Sequence, residues 1–183
     1  MKSTDKTMYK IRPFLLTGIV ILVDQLVKGF IVKNWPLRNT NGGEFIKDIF
    51  NNDLLWIIHV RNKAIAFSLG HTLPDTLRPV LFIILPLLVL GFLCWYYFKT
   101  DDLSGVQRWA FTGIIGGGVG NIIDRIFRSD GVVDFISVKF YGFLGFDRWP
   151  TFNIADTSVV ICGIILFLTI VFFPANPKEM PDE

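Results

Sequence analysis

At 183 residues, with 51% hydrophobic side chains, only 19% charged ones and a formal net charge of +2, the chain is too neutral to bind a polyanion, and its composition alone would still admit a soluble domain. Its two cysteines do not make a disulfide scaffold, and its two histidines, His59 and His71, are too scattered for a metal centre. The mean hydropathy of +0.49 is concentrated in long runs, which is the pattern of a membrane protein rather than of a soluble domain.

The amino terminus carries Lys2, Lys6, Lys10 and Arg12 against Asp5, a basic cluster that favours the cytoplasmic side. A first span, Pro13–Val32, is interrupted by Asp24, Gln25 and Lys28. No small-residue cleavage site follows at Asn34-Trp35-Pro36, so a retained helix is expected rather than a cleavable signal peptide. An insert over residues 33–78 begins with the turn-rich Asn39-Thr40-Asn41-Gly42-Gly43. It continues in two short apolar runs, Glu44–Ile49 and Leu54–Val60, expected as strands joined by a turn at Asn51-Asn52-Asp53.

Val80–Phe98 carries no charge and is long enough to cross a hydrocarbon core. After the Lys99–Arg108 hairpin comes a third span, residues 109–128, with Gly113, Gly116, Gly117, Gly118 and Gly120 on it. Small residues at four-residue spacing let a neighbouring helix approach closely. The segment 129–153 is rich in aromatics, among them Phe135, Phe140, Tyr141, Phe143, Phe146, Trp149 and Phe152, and suits a membrane interface. A fourth span occupies residues 156–173. Cys94 and Cys162 fall inside spans and are expected as buried thiols.

The fold expected is therefore an all-α membrane protein of four transmembrane helices in one domain, residues 1–183. A small β unit and an interfacial aromatic segment lie outside the membrane. Both termini and the Lys99–Arg108 hairpin are placed in the cytoplasm.

The polar residues in this apolar frame carry the chemistry. Ionisable groups near a bilayer are costly enough to be read as functional. Asp24 and Lys28, four residues apart, form either a helix-stabilising pair or a pair supporting a site in the bundle interior. Asn121 shares a helix face with Asp124 and Arg125. Asp134 follows the outer end of the third span and Asp156 begins the fourth, so antiparallel neighbouring helices bring both carboxyls to one rim. Taken alone, Asp156 reads as an N-cap and Asp134 as a surface turn. Together they form two carboxyls able to divide acid and base roles, which suggests proteolysis by an aspartyl dyad.

Gly-Asn-Ile-Ile-Asp-Arg at 120–125, Val-Val-Asp-Phe at 132–135 and Phe-Asn-Ile-Ala-Asp at 152–156 closely resemble the motifs of bacterial lipoprotein signal peptidase, also called signal peptidase II. Asp-Gln-Leu-Val-Lys at 24–28 and Asn-Lys-Ala-Ile-Ala-Phe-Ser at 62–68 match as well, in the family's order, over about residues 13–173. The resemblance implies a four-helix membrane aspartyl peptidase with a small outer β-cradle and an interfacial helix. It assigns Asp134 and Asp156 as the catalytic dyad and Asp24, Lys28, Asn62, Asn121, Arg125 and Asn153 as support. Ala64 stands where the family usually has Gly, which bears on local loop geometry.

The implied substrate is a prolipoprotein signal peptide whose lipobox cysteine carries a diacylglyceryl group, cut just before that cysteine. The implied setting is the bacterial inner membrane, with the site at its outer face. Membrane lipid is the other partner; no cofactor, metal or nucleic acid is required. A monomer is expected, although the glycine face suits packing within one chain or between two. A rival class is a small proton-coupled transporter or channel subunit relaying through Asp24, Lys28 and Asp124, and a third is an inactive scaffold that binds lipid-modified peptides.

Overall fold

The computed structural model describes residues 3–38, 46–63, 77 and 79–173. The Asn39–Gly43 turn, Ala64 and most of the Asn62–Ser68 motif lie outside the described residues.

A short polar helix, α1 (Ser3–Ile11), which the apolar pattern does not foretell, precedes α2 (Phe14–Asn34). Pro13 separates them, because its ring nitrogen has no hydrogen to donate to the helical ladder. The buried residues of α2 are Val20, Asp24, Lys28 and Ile31. Their three- and four-residue spacing puts all of them on one face, so Asp24 and Lys28 look into the bundle and not into lipid.

A π-helical turn, Val80–Ile84, leads into α3 (Leu85–Lys99). The Leu85 N–H bonds back to the Val80 carbonyl, and Pro86 follows without an N–H of its own, so the local ladder widens. α4 (Gly105–Phe127) starts with a reciprocal cap between Ser104 and Gln107, and α5 (Ile154–Phe172) with one between Asn153 and Asp156.

Among the described residues, three helical stretches are long and apolar enough to cross a membrane: Thr7–Asn34, Val80–Lys99 and Ile154–Phe172. Their outward faces expose large apolar side chains such as Leu26, Leu88 and Phe167, a surface that water would not tolerate and lipid would. The 23-residue α4 is different, since it packs against α2, α3 and α5 and buries Gln107, Arg108, Asn121 and Asp124. Its glycines permit that central position. A Cβ on Gly117 would collide with the Ala155 carbonyl of α5, and one on Gly120 would stand 3.0 Å from an Asp24 carboxylate oxygen.

The β unit is a three-stranded antiparallel sheet in the order β1 (Lys47–Asp48), β2 (Leu55–Asn62), β3 (Val132–Val138). Two expectations change here. The first strand is only two residues long within the described part of Glu44–Ile49, with bends through Asn51–Asp53 where the Asp48 carboxylate accepts the Phe50 and Asp53 N–H groups. The aromatic segment 129–153 also begins with a strand that the sequence reading left out. Its β-branched run Val132, Val133, Ile136 and Val138 pairs with a strand from far upstream. Asp134 consequently sits mid-strand, opposite Val60, rather than at a helix end or in a surface turn.

The sheet docks on one end of the bundle through Ile31, Val133 and Phe135, flanked by Val27, Trp35 and Ile154. At the opposite end Tyr97, Leu103 and Phe111 form a second buried cluster. After β3 the chain turns through Gly142 and Gly145, both at positive φ, and exposes Tyr141, Phe143 and Leu144. It returns so that Phe152 exchanges backbone hydrogen bonds with Ile136. That return delivers Asn153 to the side of Asp134. Cys94 and Cys162 are free thiols.

Candidate active site

Asn153 is the hinge of the site. As N-cap of α5 its side-chain oxygen accepts the Asp156 N–H at 2.9 Å, and the Asp156 Oδ2 accepts the Asn153 N–H at 3.2 Å. Asn153, rather than Asp156, therefore occupies the cap, and Asp156 holds the third helical position. The other half of the Asn153 amide, Nδ2, donates to Asp134 Oδ1 at 2.7 Å. One fully buried asparagine thus touches both aspartates.

Each carboxylate has a second amide donor. Asn62, at the end of β2, donates to Asp134 Oδ2 at 3.0 Å. Asn121 of α4 donates to Asp156 Oδ1 at 2.7 Å, while its own Oδ1 accepts from Asn153 and from Lys28 Nζ. Arg125, one turn on, donates to the Asn121 carbonyl at 3.4 Å and is half-buried. It shares a cavity of about 240 Å³ with Asn62, Phe82, Ile83, Arg128 and Gly131.

The two acids meet different surroundings. Asp134 is only 2% exposed, and Asp156 is half-buried at a helix amino terminus. Burial, then the negative charge of Asp156, push the Asp134 carboxyl up to about 7 against the opposing pull of Asn62, Asn153 and Lys28. Asp156 receives a backbone N–H and the favourable end of the α5 dipole, both of which suit an anion.

Beneath the aspartates lies a buried ionic cluster. Lys28 Nζ is 2.7 Å from Asp24 Oδ2 and 3.1 Å from Asp124 Oδ2, with all three side chains fully buried. The structure therefore brings Asp24, Lys28, Asn62, Asn121, Arg125, Asp134, Asn153 and Asp156 into one neighbourhood. Gln25 and Arg128 belong to it too, though the sequence reading does not name them as site residues, and so does Asp124, which that reading places on the Asn121 helix face and in the transporter relay but not among the site residues. Gln25 donates to Asp24, to Asp124 and to the Gly120 carbonyl, and Arg128 pairs with Asp124. The signal available for Gln25 was its place as an uncharged polar residue inside an apolar span.

A family model for signal peptidase (SPase) II, Peptidase_A8, matches residues 16–172. The chain belongs to the signal peptidase II family. It is 43% identical to a lipoprotein signal peptidase of Treponema pallidum over all of this chain and 94% of the relative. A lipoprotein signal peptidase of Treponema denticola is 46% identical over 93% of this chain and 95% of its own length. One from Borreliella burgdorferi is 41% identical over 94% and 95%. Among solved structures, one described as a bacterial membrane enzyme obtained by the in meso method superposes with a TM-score of 0.71 at 27% identity, covering 94% of each chain. The three relatives are lipoprotein signal peptidases and the solved structure is a membrane enzyme, so the transporter reading has no support among them.

Proposed function

We propose that this signal peptidase II is an aspartyl endopeptidase in which Asp134 and Asp156 form the catalytic dyad. Family membership makes it a peptidase that removes the signal peptides of lipoprotein precursors. The observation that carries the aspartyl mechanism is the shared asparagine. Asn153 holds two carboxylates from different elements beside one another, with the acidity of Asp134 near neutrality.

On this reading Asp134 starts protonated and donates to the scissile carbonyl oxygen. Asp156 starts ionised and takes a proton from the attacking water. The water oxygen bonds to the carbonyl carbon, giving a tetrahedral intermediate whose collapse breaks the C–N bond as a proton passes to the leaving amine. Asn62, Asn121 and Asn153 fix the two carboxyls, and Arg125, facing the adjoining cavity, suits a substrate carbonyl.

The finer substrate is a diacylglyceryl-modified lipobox peptide cut before its lipidated cysteine, reaching the site from the plane of the inner membrane. The polar α4 acts as a fourth crossing, shielded by its three apolar neighbours, in a single membrane domain that works as a monomer. With both termini cytoplasmic, the sheet and dyad lie at the outer face, where Tyr141, Phe143 and Leu144 contact lipid.

The test is cleavage of a synthetic diacylglyceryl lipobox peptide in detergent by wild type, Asp134→Asn and Asp156→Asn. Each variant should lose about a thousandfold or more in kcat, as expected when an acid–base partner is removed. Wild-type turnover in either folded variant would end the dyad reading.

A further inference from the structure

Lys28 has three N–H donors and, in this fold, three acceptors: Asp24 Oδ2 at 2.7 Å, Asn121 Oδ1 at 3.0 Å and Asp124 Oδ2 at 3.1 Å. What each acceptor does next reaches the dyad. Asp24 Oδ1 accepts the N–H of Ala155 at 3.0 Å, the residue just before Asp156. Asp124 Oδ2 accepts the N–H of Val133 at 3.0 Å, the residue just before Asp134. Asn121 donates directly to Asp156. A single ammonium therefore ties together the backbone anchors of both aspartates.

The opposite side of the tie is closed as well. Gln25 Nε2 bridges Asp24 Oδ2 and Asp124 Oδ1, at 3.1 Å each, and its Oε1 accepts from Arg128 at 3.1 Å. Asp24 and Asp124 balance Lys28 and Arg128, so the cluster is neutral as a whole. The partners of Asp124 (Val133 N–H, Lys28, Gln25 and Arg128) are all donors, and a buried carboxylate accepts from such a set where a neutral amide does not.

We propose that Asp124 and Gln25 are positioning residues for peptide-bond cleavage, completing a Lys28-centred frame that sets the separation of Asp134 and Asp156. The inference rests on the dyad reading. The competing view gives the cluster only a role in holding helices together. Buried ion pairs are often replaceable by neutral groups without loss of stability. A charge-balanced replacement therefore separates the two views.

The test pairs Lys28→Met/Asp124→Asn with the single variant Gln25→Met, using the synthetic diacylglyceryl lipobox peptide in detergent and recording Tm alongside kcat and KM. The asparagine keeps an acceptor for the Val133 N–H while its tie to Asp24 and Asn121 is cut. The frame predicts folded proteins with KM unchanged and kcat reduced about a hundredfold in the double variant and about tenfold in Gln25→Met, the scale of a small misplacement of reacting groups. A folded double variant with kcat within about threefold of wild type, or a loss confined to KM, overturns the proposal. Should the double variant not fold, the same criteria applied to Gln25→Met decide it. Asp134→Asn run in parallel keeps the readings apart: its inactivity beside active frame variants sinks the frame alone, whereas its activity sinks the dyad and the frame with it.

Discussion

Raising the pH should switch cleavage off with a midpoint near neutrality. The Asp134 carboxyl is pushed up to about 7 by burial and by Asp156, and the proposed mechanism needs its proton to polarise the scissile carbonyl. The competent fraction is then about one half at pH 7, about one tenth at pH 8 and about one hundredth at pH 9, with an apparent midpoint that belongs to the pair. The assay is the initial rate on a diacylglyceryl lipobox peptide in mixed micelles at constant ionic strength, with a return jump to neutral pH to show that the loss is a titration and not denaturation. Stability follows the same proton. The folded chain keeps it up to about 7, and an unfolded aspartate releases it at its ordinary 3.8. Between those values the folded state binds more protons, so stability falls as pH rises, by about 1.4 kcal/mol per unit and about 4 kcal/mol over the window. Asp134→Asn lacks that proton, and its Tm relative to wild type should climb between about pH 4 and pH 7 and level off above. A rate flat to about pH 9, with a Tm difference independent of pH, would refute the reasoning.

Gly117→Ala should destabilise the protein by about 1–3 kcal/mol, because the new Cβ has no room beside the Ala155 carbonyl and must drive α4 from α5; thermal unfolding in detergent reads it, and an unchanged Tm would show that the two helices separate at no cost. Asn153→Ala removes the cap of α5 and the Asp134 donor together. The cap alone is worth about 1 kcal/mol of stability. The kcat loss should far exceed what that cap explains, so a variant with lowered Tm and normal kcat would contradict the hinge role.

The apolar spans were legible because a run of side chains without charge is a one-dimensional property, and α2, α3 and α5 begin and end within a few residues of the runs that define them. The inward face of α2 was legible for a similar reason, since Asp24 and Lys28 recur at helical spacing. Strand β3 was not, because its pairing with β2 joins segments far apart in the chain, and Phe135, Phe140 and Tyr141 drew attention to the interface instead. Asp24, Lys28, Asn121, Arg125, Asp134 and Asp156 stand out as polar groups in or beside apolar spans, and the motif resemblance adds Asn62 and Asn153, whereas Gln25 and Asp124 make their contacts through backbone groups and side chains on other elements. No local pattern encodes such partners. α1 escaped because its nine residues are mostly polar and make no apolar run.

Asn153 and Asp156 arrive with α5, the last helix among the described residues, whereas Asp134, the other member of the proposed dyad, belongs to a strand completed before it. Half of an aspartyl pair has no water to activate and no second acid to work with. On the proposed dyad reading, a nascent polypeptide therefore holds no proteolytic power until α5 is made and seated against α4, and a copy truncated ahead of α5 is inactive.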